Sequence, residues 1–307
     1  AEDFGGRPAF ESRLIEVVGT IWVIDHAIRH CRKWMKPERR RAPFPMNLLG
    51  ARADIYYQPK AVVGIMSPWN VPINVVFSPL ADVLGAGNRA MIKPSEFNPK
   101  TVAVLSELFR QYFDETEIAV VSGGADVGSA FSSLPLDHII FTGAGQVGKL
   151  VMRSAAQNLT PVTLELGGKS PVIVSQGAKL EEAAEKIIAG KAMNAGQVCI
   201  SPDYCFVPEE KMEAFISHCR QTIANQYPTF MHNDDFVSLI NERNFDRVQG
   251  YLTDARTKNA RVVTLAPEGE DWNDRARHRM PIHLVIDPSD DMKVMQEELF
   301  GPVLCVL

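Results

Sequence analysis

The sequence has 307 residues, a formal net charge of −5 at pH 7, and 46% hydrophobic and 22% charged residues. This length can hold two domains, since a single core rarely grows beyond roughly 250–300 residues. The small negative charge gives no electrostatic reason to expect nucleic acid or a membrane as a partner, and no apolar run reaches the roughly 20 residues that span a bilayer.

Apolar residues at helical spacing predict one amphipathic helix over residues 10–35. Residues 36–60 are rich in Pro and Arg and are interpreted as a loop with an excursion strand around Ile55–Tyr57. From residue 61, short apolar runs alternate with helical patterns. The predicted strands are 61–66, 89–92, 118–121 and 136–141, and the predicted helices are 73–86, 98–113, 125–133 and 147–158. This alternation predicts a mostly parallel sheet covered on both faces, with ligands at the carboxyl ends of its strands.

A second α/β unit is predicted to begin around Thr163–Gly168. Its predicted strands are 171–174, 204–207, 261–265 and 283–286, and its predicted helices are 180–197, 209–226 and 241–257. The chain begins without Met and ends on Val303–Leu307, an apolar run typical of a buried strand. We therefore expect truncation at both ends.

The segment Gly143–Gly148 matches the pattern GxGxxG between a predicted strand and a predicted helix. Glycines there permit a tight turn whose backbone N–H groups can approach a pyrophosphate. The motif is weak by itself, because glycine-rich turns between strands and helices are common. Its usual extension would make Glu165, about 20 residues further on, a ribose ligand.

Glu165 ends an apolar strand and is followed by two glycines. Partial desolvation there would raise the carboxyl pKa and suit a general base, while a capping or ion-paired Glu is an equally good interpretation. Cys199 follows a long predicted helix, and it is either a nucleophile in a polarising environment or a buried inert thiol. The other four cysteines are interpreted as inert.

The five cysteines include no CxxC pair, and the histidines show no HExxH motif. No metal site is predicted, and the cysteine usage favours a reducing cytoplasm. His26 and His30 share a helical face and are interpreted as surface or packing residues.

Several polar residues follow other predicted strands. Asn70 can donate to a developing oxyanion, and Lys93 and Glu96 stand where ribose hydroxyls could lie. Glu298 and Phe300 flank a turn near the C-terminus. Each of these features is ambiguous when it is taken singly.

Taken together, the motifs SPWN, KPSE, FTGxxxxG, ELGGK, GQxC and EELFGP resemble the aldehyde dehydrogenase superfamily over essentially the whole chain. The sequence between them is similar to the bacterial coniferyl-aldehyde dehydrogenase branch, which is itself similar to the class 3 enzymes. The resemblance implies an α/β fold with a Rossmann-type parallel-sheet cofactor domain and a second, incomplete α/β catalytic domain. The expected boundaries are 1–38 and 61–165 for the NAD(P)-binding domain, 39–60 for an excursion or oligomerisation arm, and 166–307 for the catalytic domain.

The resemblance also implies roles for individual residues. Cys199 is expected to be the nucleophile, Asn70 and the Cys199 backbone N–H the oxyanion hole, and Glu165 the base that activates water; this replaces the ribose role for Glu165. The expected cofactor contacts are Trp69, Lys93, Glu96, Gly143, Gly148, Glu298 and Phe300. Glu96 would repel a 2′-phosphate, so NAD is the expected cofactor and NADP the alternative.

The implied reaction oxidises an aromatic aldehyde such as coniferaldehyde, or a medium-chain aldehyde, to the acid through a thioester. The full-length protein is expected to be a homodimer. Three alternatives stay open at this point: an inactive fragment that only binds cofactor, an acylating or NADP-linked semialdehyde dehydrogenase, and a Rossmann alcohol dehydrogenase.

Overall fold

A computed structural model describes residues 2–267, 269–270 and 275–307. The chain folds as two compact units, a first unit formed by Leu14–Glu165 and a second unit formed by Ala1–Arg13 with Leu166–Leu307. Within the described residues, no helix combines the length and the apolar character needed to cross a membrane. That one domain binds NAD(P) and the other is catalytic stays a prediction.

The predicted N-terminal helix is present as α1 (Ala9–Ser12), a π-helical stretch (Arg13–Val18) and α2 (Gly19–Trp34). Glu16, in the π-helical stretch, is buried, and its carboxylate accepts hydrogen bonds of 3.0 Å from the backbone N–H groups of Ile73 and Asn74. These N–H groups lie at the start of α3 (Asn74–Gly85). The carboxylate provides acceptors for N–H groups that have no partner within α3, and its negative charge interacts favourably with the positive end of the helix dipole. These contacts attach the N-terminal helix to α3.

Residues 36–60 contain two strands where the sequence predicted one. β1 (Glu38–Arg40) pairs antiparallel with β2 (Ala53–Ile55), and the Tyr57 hydroxyl donates to the Glu38 carboxylate at 3.0 Å. Phe44 and Leu49, in the connection between the strands, are largely exposed.

The first unit shows the predicted β-α-β-α alternation. Its elements after α2 and the β1–β2 pair are β3 (Val62–Met66), α3, β4 (Arg89–Lys93), α4 (Pro99–Tyr112), β5 (Ile118–Val120), α5 (Ala125–Ser132), β6 (His138–Gly143), α6 (Gly145–Ala155) and β7 (Val162–Leu166). The strand order is β5-β4-β3-β6-β7, and β3 runs parallel to both β4 and β6. β7, at the end of the first unit, belongs to this sheet.

Helices cover both faces of this sheet, as predicted. Val63 and Ile65 of β3 pack with residues of α3 and α4 in one core. Met66 of β3 packs with residues of α5 and α6 in another. Gly64 lies between Val63 and Ile65 in β3. A Cβ at Gly64 would lie 2.9 Å from the Phe131 ring, because α5 approaches the strand closely.

The second unit is built on another five-stranded sheet. Its elements are β8 (Ser170–Ile173), α7 (Leu180–Ala192), β9 (Pro202–Phe206), α8 (Met212–Gln226), α9 (Glu242–Thr257), β10 (Arg261–Leu265), β11 (Ile282–Ile286), α10 (Lys293–Gln296) and β12 (Val303–Val306). The order is β10-β11-β12-β9-β8, with β10 antiparallel to β11 and the other pairs parallel. Residues 303–306 of the C-terminal apolar run therefore form a fully buried central strand, β12, between β11 and β9.

Two features of this unit differ from the sequence-based expectation. The short helix α10 was not predicted, since four residues carry no periodicity. The helix predicted over residues 180–197 ends at Ala192, because Asn194, Ala195 and Gly196 all adopt positive φ angles of 49°, 52° and 73°. Left-handed residues cannot continue a right-handed helix.

Candidate functional site

In the first unit, predicted cofactor contacts and the predicted oxyanion-hole residue Asn70 gather at the carboxyl ends of three neighbouring parallel strands. Trp69 and Asn70 follow β3, Lys93 ends β4, and Gly143 ends β6. The Ser67 N–H donates to the Lys93 carbonyl at 3.1 Å, which joins the first two strand ends. Parallel strands bring such residues to one edge of a sheet, where ligands bind in this class of fold.

Lys93 is buried, and its ammonium lies 3.3 Å from the exposed Glu96 carboxylate while donating to the Pro94 carbonyl at 3.1 Å. This arrangement places a cation and a carboxylate side by side at the strand end. Asn70 is buried and Trp69 is half-buried.

A single residue, Ala144, separates β6 from α6. A Cβ at Gly143 would lie 2.7 Å from the Phe141 ring, so glycine relieves a real steric conflict there. A Cβ at Gly145 would meet no atom of the described residues within 4 Å, whereas Gly148 is buried in α6. The likeness to GxGxxG that Gly145 creates therefore has no steric basis in this turn.

Glu165 is the penultimate residue of β7, at the end of an apolar strand as predicted. Its side chain is exposed, however, so the expected partial desolvation is wrong for this chain. Glu165 and Asn70 belong to the first unit and Cys199 to the second. The roles of the three residues stay a proposal.

Cys199 follows a turn that is held by buried amide side chains. The Asn194 side chain donates to the Gln197 carbonyl at 3.1 Å, and the Gln197 side chain donates to the Asn194 carbonyl at 2.9 Å. Gln197 also donates to the Ser238 carbonyl at 3.2 Å and accepts from the Ile240 N–H at 3.0 Å. Successive left-handed residues in a hydrogen-bonded turn are typical of a functional site, where the surroundings compensate backbone strain.

Cys199 is exposed, whereas Cys205, Cys219 and Cys305 are buried and Cys31 is half-buried. Burial raises the pKa of the thiols of Cys205, Cys219 and Cys305 to about 12. These three remain protonated near neutral pH and are poor nucleophiles, as the sequence analysis expected.

Glu298 lies directly against the glycines that follow Glu165. A Cβ at Gly167 would overlap the Glu298 carboxylate, and the Gly168 N–H donates to that carboxylate. Burial raises the pKa of Glu298 above its usual value, and the Gly168 hydrogen bond opposes this shift. Phe300 has a φ of 41°, so the turn after Glu298 is also left-handed.

The second unit thus brings the Cys199 turn and the Glu298–Phe300 turn together. A Cβ at Gly196 would overlap the backbone oxygen of Gly301. The two turns touch backbone to backbone, which fixes their relative position more strictly than side-chain packing could.

Three buried or half-buried charges beside these turns were not predicted from the sequence: Lys191, Asp203 and Arg247. Arg247 donates to the carbonyls of Leu299 at 2.8 Å and Phe300 at 2.9 Å. One signal was available for Lys191, since it falls on the same helical stripe as the buried Ala184 and Ile188. A charge on an apolar stripe is worth singling out, because burial of a charge requires specific partners.

A cavity of about 450 Å³ elsewhere in the second unit contains none of the predicted site residues. It is lined by Met212, Glu213, Lys258, Asn259, Ala260, Arg261, Ile286, Asp287, Ser289 and Met292.

Comparison with known proteins places these motifs in a family. A family model described as "Aldehyde dehydrogenase family" matches residues 4–307. A Caulobacter vibrioides protein named "Probable coniferyl aldehyde dehydrogenase" is 51% identical over 306 residues, covering 99% of this chain and 63% of the relative. A Pseudomonas sp. protein named "Coniferyl aldehyde dehydrogenase" is 47% identical, covering 98% of this chain and 62% of the relative.

Among solved structures, a Mycobacterium tuberculosis aldehyde dehydrogenase complexed with NAD+ is 29% identical with a TM-score of 0.87. The match covers 99% of this chain and 62% of that structure. The chain therefore spans less than two thirds of the length of the relatives that it matches.

Proposed function

Because the chain belongs to the aldehyde dehydrogenase family, we propose that it carries the cofactor-binding and nucleophile-bearing parts of an NAD-linked aldehyde dehydrogenase. The observation that carries this proposal is the exposed Cys199 at the end of a rigid, hydrogen-bonded turn that contacts the Glu298–Phe300 turn through Gly196. A thiol that is accessible and held in place can attack a carbonyl, whereas three of the other thiols are buried.

The residues of the first unit fit a dinucleotide. Lys93 and Glu96 offer a cation and a carboxylate to ribose hydroxyls, and Gly143 lets the backbone approach a phosphate group closely. The carboxylate of Glu96 would repel a 2′-phosphate, which favours NAD over NADP. NAD, when bound, supplies the hydride acceptor.

The proposed reaction begins when the Cys199 thiolate adds to the carbonyl carbon of the aldehyde. The Asn70 amide and the Cys199 backbone N–H donate hydrogen bonds to the oxygen that gains negative charge. Loss of a hydride from the same carbon leaves a thioester on the Cys199 sulfur. Glu165 then takes a proton from water, the water oxygen attacks the thioester carbon, and the C–S bond breaks to release the acid and the thiolate.

The aldehyde is proposed to be aromatic, with coniferaldehyde as the first candidate. This choice rests on the names of the two relatives that are 51% and 47% identical to the chain. A homodimeric assembly and a cytoplasmic location stay predictions.

The test follows NADH absorbance with coniferaldehyde, benzaldehyde and hexanal, on this chain and on any longer natural chain that carries it. Cys199→Ala is expected to abolish oxidation and keep NAD binding, while the control Cys31→Ala keeps parent activity. Appreciable turnover by Cys199→Ala would refute the nucleophile assignment. NAD binding without turnover by any parent chain would favour the alternative of a cofactor-binding module.

Two further variants test the remaining roles. Glu165→Gln is expected to slow release of the acid and accumulate acyl-enzyme, so an unchanged deacylation rate would exclude Glu165 as the base. Glu96→Gln is expected to shift the preference toward NADP, and an unchanged ratio of the two cofactor specificities would exclude its ribose role.

A further inference from the structure

A fully buried lysine lies between the two turns of the second unit. Lys191, in the last turn of α7, is 1% exposed, and its ammonium donates to the Gly301 carbonyl at 3.2 Å. Its Cδ lies 3.1 Å from where a Cβ on Gly196 would stand. The side chain therefore reaches from the Cys199 turn to the turn that carries Glu298 and Phe300.

A second buried charge, on a strand and not on α7, contacts the turn that carries Glu298 and Phe300. Asp203 of β9 is 2% exposed, and one of its carboxylate oxygens accepts the Leu299 N–H at 2.8 Å. Its other oxygen pairs with the Lys169 ammonium. Lys169 also donates to the carbonyls of Val294 at 2.8 Å and Glu297 at 3.0 Å.

These three side chains anchor the backbone of residues 294–301 at four points, at Val294, Glu297, Leu299 and Gly301. Two of the points precede Glu298 and two follow it. Burying an ammonium and a carboxylate costs several kcal/mol unless each is paired and hydrogen-bonded. All three charged side chains form hydrogen bonds with the backbone of residues 294–301. A buried charge with no positioning role would not need its partners in the same segment as the other two.

We propose that Lys191 and Asp203 are positioning residues that hold the Glu298–Phe300 turn against the Cys199 turn, so that a bound nicotinamide is presented to the carbon on Cys199. The inference rests on the proposed function, because it assigns Glu298 and Phe300 to the nicotinamide end of the cofactor. Lys191 and Asp203 act through the backbone of the turn and touch neither reactant.

Loss of one anchor is expected to loosen the turn more than the fold. In the proposed function, the affinity for NAD depends on the positions of Glu298 and Phe300, whereas attack by Cys199 on the aldehyde depends on the conformation of the Cys199 turn. The expected signature is therefore a split between the two KM values, which general destabilisation would not produce.

The test compares Lys191→Met, Lys191→Arg and Asp203→Asn with Lys186→Met, which replaces an exposed lysine on the same helix. Lys191→Met and Asp203→Asn are expected to raise the KM for NAD about tenfold and to lower kcat, while the KM for aldehyde stays within about twofold. Lys191→Arg keeps a donor toward Gly301 and is expected to recover much of the loss, and Lys186→Met should match the parent.

Hydrogen exchange of peptides covering residues 294–301 gives a readout that needs no activity. Faster exchange there in Lys191→Met and Asp203→Asn, but not in Lys186→Met, supports the anchoring role. Parent-like exchange and parent-like KM for NAD in both variants would overturn the inference. If Lys191→Met fails to fold, the exchange and the KM for NAD of Asp203→Asn decide it. If neither this chain nor a longer natural chain that carries it shows NAD-dependent turnover, the proposed function fails, and the exchange comparison still decides whether the anchors hold the turn.

Discussion

Replacing Gly196 by Ala tests the contact between the Cys199 turn and the Glu298–Phe300 turn most directly. Gly196 has a φ of 73°, and a Cβ there would overlap the backbone oxygen of Gly301. Backbone atoms cannot move away by a rotamer change, so one of the two turns has to shift.

The magnitude follows from two costs. Placing Ala in the left-handed region costs about 1–2 kcal/mol, and forcing extra volume into a packed site costs about 1–3 kcal/mol. We therefore expect Gly196→Ala to lower the free energy of unfolding by about 2–5 kcal/mol. The shift of the turn is also expected to change the rate at which iodoacetamide alkylates Cys199.

Urea unfolding of Gly196→Ala and of Gly177→Ala, with the alkylation rate of Cys199 measured in parallel, checks this expectation. Gly177 is the matched control in the same unit, because a Cβ there would meet none of the described atoms within 4 Å and its φ is not positive. A free energy of unfolding within about 0.5 kcal/mol of the parent and an unchanged alkylation rate in Gly196→Ala would show that the two turns do not make this backbone contact.

Three further predictions concern stability. Burial lowers the pKa of Lys191 to about 8, so the folded chain binds fewer protons than the unfolded chain between about pH 8 and 10.5. The free energy of unfolding should therefore rise with pH in this window by about 1.4 kcal/mol per pH unit relative to Lys191→Met, as measured by urea unfolding; a constant difference between the two would contradict it. The titratable groups that face Lys191 are Asp203, Cys305, Lys169 and Glu298. Burial lowers the pKa of His283 to about 4, so stability should fall by about 3 kcal/mol as pH drops from 6.5 to 4, and His283→Gln should lose this dependence in the same titration. Gly250 lies inside α9, and a Cβ there would meet no described atom within 4 Å, so Gly250→Ala should raise the thermal midpoint through a gain of up to about 1 kcal/mol; a lower midpoint would contradict the open space there.

The strands and helices of the first sheet could be predicted, because each of them has a clear pattern of apolar residues in its own stretch of sequence. Short apolar runs and helical patterns alternate along residues 61–158, and the polar residues at 67–70 and 93–96 stand just past the apolar runs. Parallel pairing then places those residues at one edge with no further information, so the location of Lys93 and Glu96 could be predicted.

The end of α7 could not be predicted in the same way. Residues 193–197 continue the helical composition, and two of the three left-handed residues, Asn194 and Ala195, are not glycines. Their conformation depends on two buried hydrogen bonds of the Gln197 side chain, which donates to the Ser238 carbonyl and accepts from the Ile240 N–H, far along the chain. The local pattern of apolar and polar residues contains no information about such long-range hydrogen bonds.

The charges beside the turns were missed for a related reason. Asp203 meets Leu299, and Lys191 meets Gly301, only because β9 and α7 pack beside a segment that is distant in sequence. The expectation of a desolvated Glu165 was wrong because an apolar strand was taken to imply a buried strand end, whereas every residue of β7 is exposed or half-buried.

We propose that Cys199 carries the acyl group during aldehyde oxidation. The most direct measurement mixes Glu165→Gln with NAD and coniferaldehyde, or with benzaldehyde, quenches the mixture in acid and maps the adduct by peptide mass spectrometry. We expect an acyl adduct on the peptide that contains Cys199 and none in the double variant that also carries Cys199→Ala. An adduct on another cysteine, or NADH formation by Cys199→Ala at the parent rate, would contradict it.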